Sequence, residues 1–267
     1  MRLLVRLWLG AALVLALGGA KLLDGGAFVV SYDHMTEAEA RDVFERAHDG
    51  YAAVTRYLGL KPAQKIIIKD TEGGALGTTM IQTIEGRTHA IRPIQIEIPL
   101  RYLRGKPFKT AIVHELTHAV AGIPFQQNLF LAEGLAVHAH GVLARPDEAD
   151  SFAKYRIHEV ARRNLRQVAV TSPIQHIYES RDIFADKERA FASGYTSSLA
   201  YVFAGSFVTF LIQKDGPARE AESVARFMGV YRDGDFMRAY GQSLGALERQ
   251  WISYINTMPT ARSGAAP

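Results

Sequence analysis

The residues most able to do chemistry are His114-Glu115-Leu116-Thr117-His118. On a helix, side chains four apart share one face. The two imidazoles therefore point the same way and can hold one divalent ion, with zinc the usual occupant of such a pair. Glu115 stands beside His114 on the same edge. It reaches a metal-activated water without ligating the metal and so can serve as general base. A catalytic zinc takes three protein ligands and keeps a fourth position open. A histidine six residues after His118 would complete one common set, but that position is Pro124. Glu133 is the better third ligand. It falls in Leu131-Ala132-Glu133-Gly134-Leu135-Ala136, at the start of a second apolar helix that Gly122 and Pro124 separate from the first. His138 and His140 are the alternatives. His138 is five residues beyond Glu133, about 140° around a helix, so the two cannot serve the same metal. His34, His48, His89, His158 and His176 have no spacing partner and read as ordinary histidines.

The elements that must position these groups can be read from periodicity. Thr36 opens a capping box with Glu39, and a helix should run to residue 57, stopped by Gly59 and Pro62. Strands are expected at 65–70, 78–84 and 90–98. In the last, Ile94, Ile96 and Ile98 alternate with Gln95 and Glu97 between Pro93 and Pro99. Those prolines suit an edge strand, able to bind peptide backbone by strand addition. From residue 107 the pattern turns helical, with helices at 109–120, 128–140 (capped by Asn128), 148–166, 196–213, 218–230 and 244–255. The order gives an α+β fold, a small mixed sheet followed by a mostly helical subdomain that carries the His-Glu-x-x-His helix.

Composition narrows the class. Of the 267 residues 48% are hydrophobic and 22% charged, and the net charge is +4, an ordinary globular balance. With no cysteine, disulfides, thiolate ligands and a cysteine nucleophile are excluded. The basic stretch at 154–166 reads as the solvated face of an amphipathic helix with Ile157, Val160, Ala161 and Leu165 inward. Tyr155 is the stretch's single Phe, Tyr or Trp, too few for a base-stacking surface, so nucleic acid is not an expected partner. Arg2 and Arg6 precede an apolar run at 7–20, closed by Lys21. Residues 1–25 thus read as a signal peptide or N-terminal membrane anchor, which predicts export to the periplasm or another extracytoplasmic site. Residues 26–258 then form the catalytic domain and 259–267 a flexible tail.

Together, His114 to His118 and the Glu133-Gly134-Leu135-Ala136 segment resemble the gluzincins, in particular their compact peptidase MA-like group. There an HExxH helix is followed by a helix with an EG-x-A ligand motif and an aromatic three residues before its Glu, a place filled here by Phe130. Residues 201–216 and the Gly241-Gln242-Ser243-Leu244 segment, with Leu247, Glu248 and Trp251, are similar to the group's later helices. The resemblance covers roughly residues 36–256 and is most specific at 114–136. It implies a zincin-like fold, one Zn²⁺ on His114, His118 and Glu133, and a peptide or protein substrate. Glu115 would pass the proton of the attacking water to the leaving amine. A second donor must stabilise the oxyanion; Tyr201 is the candidate, with Tyr195 behind it, where related enzymes place such a tyrosine. Two other readings stay open, an inactive binding protein on the same fold and a zinc hydrolase of a non-peptide amide in the cell envelope.

Overall fold

The structure is a computed structural model that describes residues 20–62, 64–73, 77–79, 82–83, 90–91, 94–100, 107–143, 156–166, 168, 171–180, 183–184 and 197–258. Residues 1–19 of the expected leader segment 1–25, His89, Tyr195, residues 148–155 of the expected long helix and the expected tail lie outside them, whereas residues 21–24 of that leader segment form a strand. The chain divides into two compact units, residues 1–49 with 62–109, and residues 50–61 with 110–267.

The first unit holds the sheet. Strands β1 (Lys21–Asp24), β2 (Phe28–Tyr32), β3 (Ile66–Thr71), β4 (Gly77–Thr79) and β7 (Ile94–Pro99) lie in the order β1-β2-β3-β7-β4. β1 and β2 form an antiparallel hairpin, β2–β3 and β3–β7 are parallel, and β4 returns antiparallel on β7. β5 (Gln82–Thr83) and β6 (Ala90–Ile91) form a separate two-stranded ladder. Sequence periodicity missed β1 and β2. β2 is buried along its whole length, so it carries no polar alternation to reveal it. Asp70 ties the end of β3 to the chain after β2, because its carboxylate accepts from the backbone N–H groups of Asp33, His34 and Met35 at 2.6–3.3 Å. Helix α1 (Glu37–Leu58) follows. Its capping box is present: Glu39 N–H donates to Thr36 Oγ1 at 3.2 Å, and Thr36 N–H donates to Glu39 Oε2 at 2.8 Å.

The expected edge strand is a correction. Residues 90–98 do not form one strand; they divide between β6 and β7, which belong to different sheets. β7 is also flanked on both sides, by β3 and, across Gln95, Ile96 and Glu97, by β4, so it is an interior strand there and not the expected edge. Ile96 and Ile98 are fully buried, which favours an interior place. Pro99 sits at the end of the strand, where it interrupts no interior ladder bond.

The second unit is helical. It contains the end of α1, most of α2 (Pro107–Ala121), then α3 (Leu129–Leu143), α4 (Arg156–Leu165), α5 (Pro173–Glu179), α6 (Ser197–Gln213), α7 (Glu220–Asp233), α8 (Phe236–Tyr240) and α9 (Leu244–Thr257). The short α5 and α8 were not legible as periodic segments. The fold is thus α+β, a mixed sheet followed by a mostly helical region. α6 is apolar on nearly every face because it runs through the core of this unit, with Ala200, Phe203, Ala204, Phe207, Val208 and Leu211 inaccessible to solvent. It packs tightly against α3, and glycines on both helices allow the approach. A β-carbon at Gly134 would lie 2.9 Å from the carbonyl oxygen of Ala204, and one at Gly205 would lie 2.3 Å from Val137 Cγ1. Among the described residues no helix is long and apolar enough to cross a membrane.

Candidate metal centre

Helix α2 is buried from Ile112 to Val120 except at His114, which is partly open. Leu116 fixes its inward face against Gly50 of α1, where a β-carbon would come within 3.0 Å of Leu116 Cδ1. That orientation puts His114 and His118, one turn apart, on a common side, their rings 4.8 Å apart and nearly perpendicular. Gly122 then ends the helix with φ 77°, and its N–H donates to the carbonyl of His118 at 3.1 Å. A left-handed residue is the usual stop for an α-helix, and glycine adopts it without a β-carbon penalty. After a short 3₁₀ turn at Phe125–Gln127, Asn128 caps α3, its Oδ1 accepting from Leu131 N–H at 3.3 Å. The chain has reversed, and Glu133 faces the histidines.

Three donor atoms converge there. Glu133 Oε2 lies 3.0 Å from His114 Nε2 and 3.4 Å from His118 Nε2, and the two Nε2 atoms are 3.1 Å apart. Tetrahedral zinc with bonds of about 2.0–2.1 Å needs its ligand atoms about 3.3 Å apart. The triangle therefore has the size of one face of such a site, and the donor set, two imidazoles and a carboxylate, fits the ion. Among the described residues His114, His118 and Glu133 form the group able to hold a metal. Glu133 is 14% exposed at its side chain, so the face is reachable from solvent.

Electrostatics support the convergence. Burial opposes the charge on Glu133, but His118 and hydrogen bonds from both histidines outweigh it and hold the carboxyl well below its usual range. Burial likewise opposes a charged His118, yet Glu133, with help from Glu115, raises its pKa. Glu115 is buried at 6% exposure, and its charge reaches both His118 and Tyr201. Tyr201, on α6, has its ring centroid 6.4 Å from that of His114 and an edge contact with Phe184. Burial, then the charges of Glu133 and Glu115, push its phenol above the usual tyrosine range, so it remains a proton donor. The five residues singled out from sequence thus gather on α2, α3 and α6.

His138 does not join them. Its Nε2 lies 2.6 Å from the hydroxyl of Tyr57, and its Nδ1 lies 3.0 Å from Thr209 Oγ1, on a different side of α3. His140 is buried on α3 and belongs to no metal-holding group among the described residues. His158 is a core residue, hydrogen-bonded to Ser206 at 2.9 Å. One neighbour of the site left no trace in the sequence: Tyr231, on α7, feels the Glu133 charge. Burial first, then that charge, raise its pKa.

A scan against models of protein families finds no match, and no curated protein matches the chain. A search of solved structures does give a likeness. The chain is similar to the crystal structure of an aminopeptidase N family protein from Idiomarina loihiensis, with a TM-score of 0.52 and 10% identity. The match covers 90% of this chain and 44% of that one. The chain therefore spans less than half the length of that neighbour, and at this identity the likeness is one of fold.

Proposed function

We propose that the protein is a zinc-dependent peptidase of the gluzincin type. The observation that carries this reading is the convergence of His114 Nε2, His118 Nε2 and Glu133 Oε2 within 3.0–3.4 Å of one another. The fold likeness to an aminopeptidase N family protein supports it. Bound there, zinc would supply a Lewis acid that lowers the pKa of a water and polarises a carbonyl.

The chain's own residues do the rest. His114 and His118 must present neutral Nε2 lone pairs, and Glu133 contributes the charge that offsets the ion. Glu115, adjacent to His114 but outside the donor triangle, takes a proton from the attacking water and passes it to the departing amine nitrogen. Tyr201 keeps its hydroxyl hydrogen and donates it to the carbonyl oxygen as that oxygen gains charge. The substrate on this reading is a peptide or protein, and the leader segment expected from the sequence supports a location outside the cytoplasm. Cell fractionation of a tagged chain checks the location.

Purified protein should carry about one zinc and hydrolyse members of a peptide library. Glu115→Gln should retain zinc and lose about 10²–10⁴-fold in rate. Glu133→Ala should lose the metal, since a ligand is gone. Zinc retained by Glu133→Ala would refute the ligand set. Zinc without any hydrolysis by the wild type would leave a metal-binding protein and sink the peptidase.

A further inference from the structure

The hairpin that carries the three donors closes through unfavourable backbone. Gln126 and Gln127 have φ of 50° and 56°. Residues with a β-carbon take that left-handed conformation singly, and two in succession persist only where the surroundings hold them. The same loop begins at Gly122, itself at positive φ. Gly122 and Pro124 end the first helix, but they do not by themselves fix the path of residues 125–127.

What holds it is α7 and the turn after it. The buried Tyr231 donates its hydroxyl hydrogen to the carbonyl oxygen of Gly122 at 2.7 Å. Three residues on, Gly234 ends α7 with φ 72°. A β-carbon at Gly234 would lie 2.5 Å from Phe125 Cδ1, so the Phe125 ring rests directly on the glycine backbone. α7 thus grips the loop on both sides of Pro124. One grip is four residues after His118 and the other eight before Glu133.

We infer that Tyr231 and Gly234 are positioning residues of the metal centre, fixing how α3 returns past α2 and hence the convergence of Glu133 on the two histidines. The inference rests on the zinc reading above. Donors on two helices meet at one ion only if the hairpin keeps its angle to within a fraction of an ångström. Groups hydrogen-bonded directly to metal ligands typically contribute about 10–100-fold in metal affinity, and a clamp on the loop between ligands should act at the lower end of that range.

The test uses full-length protein, zinc affinity by chelator competition, and the visible spectrum of the cobalt-substituted site. Tyr231→Phe keeps the ring and removes only the hydrogen bond. It should weaken zinc binding by about 10-fold and alter the cobalt spectrum with circular dichroism unchanged. Gly234→Ala, which must displace Phe125, should do at least as much; if it does not fold, the phenylalanine variant decides alone. Ser206→Ala, a core change whose partners are His158 and Trp251, should destabilise the protein without altering either metal readout. Wild-type affinity and spectrum in Tyr231→Phe would overturn the inference and leave the metal centre standing. An equal loss in Ser206→Ala would overturn it too, because general loosening would then explain the effect. A wild type that binds no zinc or cobalt would overturn both readings.

Discussion

In the helical unit, the histidines of the α2–α3 hairpin and His158 of the core stand in surroundings that differ in kind. At the α2–α3 hairpin, His114 Nε2, His118 Nε2 and Glu133 Oε2 point at one another. Two ring nitrogens 3.1 Å apart share at most one proton, whereas a cation between them and the carboxylate satisfies all three. In the core between α4, α6 and α9 donors and acceptors pair with one another instead, with His158 Nε2 alone of this group lacking a hydrogen-bond partner among the described residues. Trp251 Nε1–H donates to Ser206 Oγ at 2.9 Å, which leaves the serine hydroxyl hydrogen for His158 Nδ1, also at 2.9 Å. Tyr254 meets the same imidazole edge to face. The difference teaches what makes a buried histidine a ligand. A polar neighbour is common to both sites; among the described residues, convergence of lone pairs on one point belongs to the hairpin.

The sharpest way to separate the two regions is by pH, because their histidines respond with opposite signs. Burial pushes His158 down to about 4, against an unfolded value of about 6.5. Between those values the unfolded chain binds the extra proton. The stability that goes with neutral His158 is therefore complete above about pH 6.5 and lost as pH falls through 4, roughly 3 kcal/mol in all. His118 in metal-free protein has a raised pKa. Its contribution is present below the unfolded value and lost as pH rises through the folded one. Urea midpoints of metal-free wild type and His158→Phe between pH 7 and pH 4.5 test this. The variant should lose less stability on acidification than wild type, and parallel curves would remove the distinction.

Ser206→Ala probes the complementary core directly. It strands the Trp251 N–H and His158 Nδ1 in a buried place, at a cost of about 2 kcal/mol. Denaturation of the zinc-loaded and metal-free forms should fall by the same amount if the core and the hairpin are energetically separate. A larger fall in the zinc-loaded form would show them coupled.

Tyr57→Phe should have the smallest effect. Its hydroxyl lies between His138 Nε2 and Glu220 Oε1, at 2.6 and 3.0 Å, and its loss should cost about 1 kcal/mol while zinc content stays the same. A thermal melt with metal analysis checks both parts. Loss of zinc would show that the Tyr57–His138 contact is coupled to the metal centre and dissolve the contrast drawn above.

Much of the candidate site was legible because it is local. His114 and His118 are one helical turn apart, so their common face follows from the rise of a helix, and Glu133 follows from Gly122 and Pro124 turning the chain back. The Thr36–Glu39 capping box was legible for the same reason, as was the apolar character of α6. β2 was hidden by complete burial. The prolines at 93 and 99 suggest an edge strand, but a proline at a strand end interrupts no interior ladder bond and so does not exclude an interior place.

By itself, then, the sequence determined whatever depends on neighbours within about one helical turn or along one strand: caps, stops, the histidine pair and the order of elements. The tertiary structure decided what depends on residues distant in the chain. It put β7 between β3 and β4, directed His138 to Tyr57 and Thr209, and set Tyr231 and Gly234 against the loop after His118. The physical reason is that such contacts are selected by packing and by the pairing of buried polar groups across the whole unit, and neither leaves a period in the sequence.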